Sequence, residues 1–105
     1  MIVNRAMERD WQLTEHQGIE RTLFRTNDNG GNTVMIRLKK GAHFPQHLHQ
    51  GEAEMLVING QLLIGGVELV KGDYLYARAG EGHDIVALTD AELFLSTEQA
   101  MTLII

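Results

Sequence analysis

The chain has 105 residues and no cysteine, so it can form neither a disulfide nor a thiolate metal site. Its formal net charge of -5 argues against nucleic acid or an anionic membrane as partner, because both would repel it, and favours a small-molecule ligand. The N-terminal residues do not resemble a signal peptide, and no apolar stretch approaches a membrane span. We expect a cytoplasmic protein in which residues 1–105 form a single domain.

Short strands separated by glycine-rich turns are predicted along almost the whole chain. Residues 1–20 have a mixed pattern, with one helical turn near residues 4–11 and a short strand at the end. Alternating or continuous apolar residues then predict strands at 21–25, 32–39, 54–58, 61–64, 67–70, 74–77, 84–88 and 91–96. Turns such as Asn59-Gly60 separate them, because these residues accept the positive φ angles of tight hairpins. The pattern is typical of an all-β sandwich or barrel.

Apolar residues also appear where a solvated face would be polar. In the strand at 54–58, Met55 and Val57 point to one face while Leu56 and Ile58 point to the other, so both faces should be covered. Residues 101–105 are apolar as well and would form an aggregation-prone edge if exposed. We therefore expect a homodimer that covers these surfaces.

The histidines supply the candidate chemistry. His47 and His49 are two residues apart, which places both imidazoles on one face of a strand and makes half a metal site. A glycine-containing loop leads through His83 into the strand predicted at 84–88, and a small barrel could bring this histidine to the same mouth. The alternatives are a polar patch for the first two histidines and a surface loop for His83.

The residues around these histidines resemble the two motifs of the cupin superfamily. Gly41, His47, His49 and Gly60 stand at the spacing of the first motif, and Gly72, Gly80 and His83 at that of the second. Arg78 and Ala87 replace the proline and asparagine of the second motif. Residues 10–11, Gly18 and residues 40–42 are similar to the small ChrR-type cupins, known as the C-terminal domains of zinc-dependent anti-sigma factors. The resemblance implies a double-stranded β-helix, or jelly-roll, barrel.

The resemblance also implies a metal held by His47, His49 and His83. Nitrogen donors suit a divalent transition metal such as Fe, Zn, Mn or Ni, and they exclude a calcium or magnesium site. The glutamate of the first motif is replaced by Ala53, with Glu52 and Glu54 on either side. Strand alternation turns both carboxylates away from the histidines, unless a bulge near Gly51 shifts the register and makes one of them a fourth ligand.

The sequence also predicts where the two remaining histidines and two of the arginines lie. Pro45 predicts a bulge that points His43 to the rim of the pocket, the alternative being a further metal ligand. His16 has no partner pattern and is expected on the solvated surface. Arg37 and Arg78 are expected near the mouth, where an arginine could hold a substrate carboxylate, although a solvated charge is the commoner outcome.

Aromatic and apolar residues complete the expectations. Tyr74 and Tyr76 share one face of a strand, whereas Trp11, Phe44 and Met55 are expected in the core. No pattern indicates a nucleophile with its base, a phosphate loop or a paired-carboxylate site, so no catalytic side chain is predicted.

Two functional classes remain. The first is a mononuclear metal enzyme, dioxygenase-like or isomerase-like, acting on a small oxygenated substrate. The second is a non-catalytic module that binds or senses a metal or small ligand, as the ChrR-type resemblance implies. The zinc-finger segment through which those anti-sigma factors act needs cysteine, and its absence from this chain weighs against a sigma factor as partner.

Overall fold

The computed structural model describes residues 1–103, without the side chains of residues 48, 49 and 101–103. The described residues contain one short 3-10 helix, Ala6–Glu8, and the following strands: β1 Gln12–Leu13, β2 Ile19–Thr26, β3 Asn32–Leu38, β4 His43–His49, β5 Ala53–Asn59, β6 Gln61–Ile64, β7 Val67–Val70, β8 Tyr74–Ala77, β9 Gly82–Ala87, β10 Ala91–Thr97 and β11 Met101–Leu103. The all-β prediction is confirmed. No helix in this part of the chain is long and apolar enough to cross a membrane.

The strands form two sheets. One has six strands in the order β1-β2-β3-β10-β5-β8, and the other has five in the order β11-β4-β9-β6-β7. Every pairing within them is antiparallel. Buried apolar side chains from both sheets form one core cluster, which is the arrangement of a jelly-roll barrel.

Alternation along the strands builds the core. On β10, the residues Ala91, Leu93 and Leu95 are buried, and the residues between them are half-buried. Leu93 pairs with Ile36 on one side and Val57 on the other, and all three are buried. Burial of a leucine of this kind stabilises the fold by about 1.5–3 kcal/mol. The period-2 pattern of the sequence therefore determines which face of each sheet points inward.

The N-terminal residues lie over the outer face of the six-stranded sheet. The Asn4 side-chain amide donates to the carbonyl of Phe24 at 3.2 Å, and the Arg9 guanidinium lies 5.3 Å from the centre of the Phe24 ring. Trp11, which was expected in the core, instead lies against Arg37, whose guanidinium is 3.8 Å from the centre of a Trp11 ring. This cation–π contact uses the aromatic face and leaves the arginine exposed.

Another part of the same outer face is open. Leu56 pairs with Tyr74 across β5 and β8, and both side chains are exposed in the single chain. The homodimer expected to cover Leu56 stays a prediction. Of the apolar C-terminal residues in that prediction, 104 and 105 lie outside the described residues, as do the side chains of 101–103.

Candidate metal centre

Strands β4 and β9 place two of the predicted histidines opposite each other. His47 and His83 are direct partners in the antiparallel pairing of these strands. The His47 side chain is completely buried, and the His83 side chain is 19% exposed. Side chains at opposed positions of neighbouring strands lie on the same face of a sheet, so both imidazoles belong to one side of the five-stranded sheet.

A bulge at Pro45 sets the direction of these side chains. Phe44 pairs with Ile85 and His47 pairs with His83, so β4 has one more residue than β9 over this interval. Proline suits the bulge because it has no N–H to contribute to the ladder.

The bulge puts Phe44 and His47 on the same side, with ring centres 4.9 Å apart in an edge-to-face contact. His43 points outward, is 54% exposed, and lies 3.2 Å from an Asp84 carboxylate oxygen through Nε2. The outward direction agrees with the predicted bulge, whereas a place for His43 at the rim of the pocket stays a prediction.

The surroundings of His47 favour its neutral form. Burial lowers the pKa of the imidazole, and the neighbouring His83 lowers it further, while the Pro45 carbonyl and Asp84 act in the opposite direction. Nδ1 lies 3.2 Å from the Pro45 carbonyl oxygen, which can only accept, so Nδ1 carries the proton. The lone pair is therefore on Nε2, and a neutral imidazole in a fixed tautomer is the form that binds transition metals.

His83 is held on two sides. Its Nε2 lies 3.4 Å from a carboxylate oxygen of Glu81, a residue that no sequence pattern connects with the site. On the other side the turn between β6 and β7 packs against the ring. A Cβ added to Gly65 would lie 2.9 Å from Nδ1 of His83, and Gly65 has a φ of 57°, so this position needs glycine for both reasons.

The third predicted ligand, His49, cannot be placed in the same way. Its backbone belongs to β4 and pairs with Met101, but its side chain lies outside the described residues. Among the described side chains, no three histidine, aspartate or glutamate residues form a group that could hold a metal ion. The three-histidine site stays a prediction.

Ala53, which stands where the first motif has its glutamate, lies on the inner face of the sheet. Ala53 is 1% exposed and pairs with Ala77 on one side and Thr97 on the other. Glu52 and Glu54 are exposed, as the alternation predicts. Glu54 accepts a hydrogen bond of 3.1 Å from the Tyr74 hydroxyl. A hydrogen bond to Glu52 raises the pKa of the Tyr76 phenol.

A cavity of about 530 Å³ lies beside His47. Apolar side chains form much of its wall, including Ile19, Phe44 and Leu95. The volume is within the range of small-molecule sites in proteins, which are concave and mostly apolar with a few polar groups. The cavity therefore offers room for a small ligand next to the buried imidazole.

His16 is part of this cavity, contrary to the prediction that it lies on the solvated surface. Its side chain is only 16% exposed, and its ring lies edge-on to Phe44 with the centres 4.7 Å apart. The Thr14 hydroxyl donates to the Ile19 carbonyl at 2.8 Å and accepts from the His16 backbone N–H at 3.1 Å, which folds this polar segment back over the core. Gly18, with a φ of 78°, was the signal for that turn in the sequence.

The arginine prediction was wrong about which arginine lies near the ligand space. Arg37 is on the outer face with Trp11, and Arg78 is exposed after β8; neither lines the cavity. Arg21 does line it. Its position two residues after Ile19 was the available signal, because alternation puts both on the inner face.

Known proteins resemble the chain in sequence and in fold. The ChrR cupin-like domain family matches residues 1–102. The DNA damage-repair/toleration protein DRT102 of Arabidopsis thaliana is 30% identical over 70 residues, which is 61% of this chain but only 23% of that protein. The chain thus spans less than a quarter of this curated relative.

Two solved structures illustrate the shared fold. A putative acetylacetone dioxygenase from Methylibium petroleiphilum PM1 superposes with a TM-score of 0.90 at 19% identity, over 100% of this chain and 82% of that one. The anti-sigma factor ChrR, in its complex with SigE of Rhodobacter sphaeroides, superposes with a TM-score of 0.77 at 21% identity, over 90% of this chain and 52% of that one. At these identities the superpositions establish the fold, and they confirm the predicted jelly-roll barrel.

Proposed function

Because the chain belongs to the ChrR cupin-like family, we propose that it binds a divalent transition metal, Fe, Zn, Mn or Ni, through His47, His49 and His83. The observation that carries this proposal is a completely buried, neutral His47 directly opposite His83. A nitrogen donor set without cysteine suits these metals. The Pro45 carbonyl accepts the hydrogen bond from Nδ1 and orients His47, as hydrogen-bond partners of metal-bound histidines commonly do.

For the reaction, we propose a dioxygenase-like activity on a small oxygenated substrate. When bound, the metal would polarise a substrate oxygen or activate dioxygen. The residues of this chain would hold the substrate in the cavity beside His47, and the apolar wall that includes Ile19, Phe44 and Leu95 would keep water from it. The fold shared with a putative acetylacetone dioxygenase supports the choice of this reaction class.

The second candidate is a non-catalytic module that senses a metal or a small ligand. Membership of the ChrR cupin-like family favours it, since ChrR is an anti-sigma factor. A turnover screen separates the two: protein loaded with Fe(II), Mn(II) or Zn(II) is incubated with small dicarbonyls, quercetin-like phenols and uronates. A metal-dependent product supports the enzyme, whereas ligand binding without any product supports the sensing module.

The metal site itself is tested by the metal content of protein purified without added metal. We expect His47→Ala and His83→Ala to lose the metal that the wild type carries. His43→Ala is the matched control, because His43 lies on the same strand but points outward. Unchanged metal content in the first two variants, with the fold retained by circular dichroism, would refute the site.

We also propose that residues 1–105 act as one domain in a cytoplasmic homodimer. Leu56, Tyr74 and Tyr76 form an exposed face that includes apolar area, and such areas tend to mark interfaces. Light scattering at micromolar concentration should give the mass of a dimer, and Leu56→Lys should shift it toward the monomer. A monomeric wild type would end the argument.

A further inference from the structure

Arg21 is a half-buried residue that lines the cavity. Ile19, two residues earlier on β2, is 2% exposed, and Ile36, the direct partner of Arg21 on β3, is also buried. Alternation therefore points the Arg21 side chain toward the inner face, where it lines the cavity. A charged group in apolar surroundings is costly unless a counter-ion or water meets it.

The other polar groups of the cavity do not supply that counter-ion. The Thr14 hydroxyl is engaged by the backbone of its own turn, and the Thr97 hydroxyl bonds to the backbone of Asn32. Glu15, the acidic side chain among the described lining residues, is 78% exposed and lies 3.7 Å from His16. Among the described side chains, Arg21 takes part in no ion pair.

The described lining of the cavity has a permanent positive charge at one position. Arg21 is the one permanently charged cation among the described side chains of the lining, because a guanidinium does not lose its proton in proteins. A guanidinium presents a planar fork of N–H donors that matches a carboxylate in two parallel hydrogen bonds. A carboxylate would meet both the charge and the donors of Arg21.

We infer that the cavity binds a small organic acid whose carboxylate pairs with Arg21, with its apolar chain along the wall and a second oxygen function directed toward His47. The ligand class is thus an oxo acid with an apolar spacer. The direction of the second oxygen rests on the proposed metal function, whereas the pairing of the carboxylate with Arg21 does not. Arg21 is in this view the residue that selects acids over neutral carbonyl compounds.

The test compares 5-oxohexanoate with 5-oxohexanamide, which have the same chain but differ in charge. Binding is measured by calorimetry on the protein as purified and after removal of metal with a chelator. The variants are Arg21→Met and Arg21→Lys, with Arg37→Met as the matched control, because Arg37 stacks on Trp11 on the outer face. Thermal unfolding of each variant shows whether it is folded.

We expect the wild type to bind 5-oxohexanoate about tenfold or more tightly than the amide, as a charge-assisted pair predicts. Arg21→Met should remove this preference, Arg21→Lys should keep part of it, and Arg37→Met should keep all of it. The preference should be present with and without metal, so it stands or falls separately from the metal site. No binding of 5-oxohexanoate by the wild type at millimolar concentration, or an unchanged preference in Arg21→Met, would overturn the inference.

Discussion

Two pairs of polar residues lie in different surroundings: the opposed histidines His47 and His83, and the carboxylates Glu52 and Glu54. His47 on β4 faces the core side, is buried, and is neutral next to an apolar cavity. Glu52 and Glu54, on either side of Ala53, are exposed on the outer face of the other sheet, where tyrosines of β8 hydrogen-bond to them. Both groups contain good metal donors. The comparison shows what decides whether a group can form a metal centre. The burial of its side chains and the face of the sheet on which they lie matter more than the residue type.

The largest effect is expected from moving a carboxylate from the outer to the inner face. Ala53→Glu would bury an acid in the core, and in metal-free protein we expect the free energy of unfolding to fall by about 3 kcal/mol or more. If Ala53 faces the proposed metal, the variant should bind Zn(II) more tightly than the wild type and recover part of its stability. Urea denaturation with and without Zn(II), together with competition for the metal, measures both.

Ala53→Gln supplies a folded reference if the glutamate variant is too unstable. Glu54→Ala is the matched change on the outer face, and it should alter stability by no more than about 0.5 kcal/mol. A folded Ala53→Glu with unchanged Zn(II) affinity would show that the inner face at this position does not reach the ion.

A smaller effect is expected from the turn that holds His83. Gly65→Ala brings a Cβ against the His83 ring and strains a backbone with positive φ, whereas Gly66→Ala has the same kind of φ, 80°, and open space around the Cβ. In both variants, the strain of an alanine at positive φ should lower the free energy of unfolding by about 1–2 kcal/mol. Only Gly65→Ala should also weaken metal binding, as measured by titration. Equal metal affinity in the two variants would mean that the contact with His83 does not position it.

The pH dependence of stability follows from the lowered pKa of His47. The unfolded chain, with a histidine pKa of about 6.5, takes up a proton more readily than the folded protein, so protonation favours unfolding. The contribution of His47 to stability is complete above pH 6.5 and is lost as the pH falls through the lowered pKa, by at most about 1.4 kcal/mol per unit. Denaturation of metal-free protein between pH 7 and 5 measures it. His47→Gln should flatten this slope and exposed His43→Gln should not; equal slopes would contradict the assignment.

The smallest effect is expected on the outer face. Glu52→Gln and Glu54→Gln keep the shape of the side chains and remove the charge from the tyrosine contacts. Since these carboxylates are exposed, metal content should be unchanged and stability should move by less than about 0.5 kcal/mol. Loss of metal in either variant, with the fold retained, would make a carboxylate a ligand and contradict the three-histidine proposal.

Features fixed by local chemistry were predictable from the sequence. Glycine-rich turns and the alternation of apolar residues predicted the strands and their inner faces. Pro45 predicted the bulge that turns His43 outward. The place of His16 could not be predicted, because its contact with Phe44 joins segments 28 residues apart through a turn of polar side chains. The faces of Arg21 and Arg37 could have been predicted, but the packing around Arg37 could not. Alternation assigns each to a face, but the outer face became a packing surface only because the N-terminal segment brings Trp11 over it.

The extra residue in β4 also changes how the spacing of its side chains is to be understood. Between Phe44 and His47 the chain counts three steps, an odd number, yet both side chains face the same way. The alternation of inward and outward side chains is therefore shifted by one residue between the two halves of β4. Each half keeps its own regular pairing with β9. Deletion of Gln46 would restore an even count and a regular strand with both rings still inward. The inward direction of His47 is accordingly a property of its pairing with His83, not of its distance along the chain from Gly41.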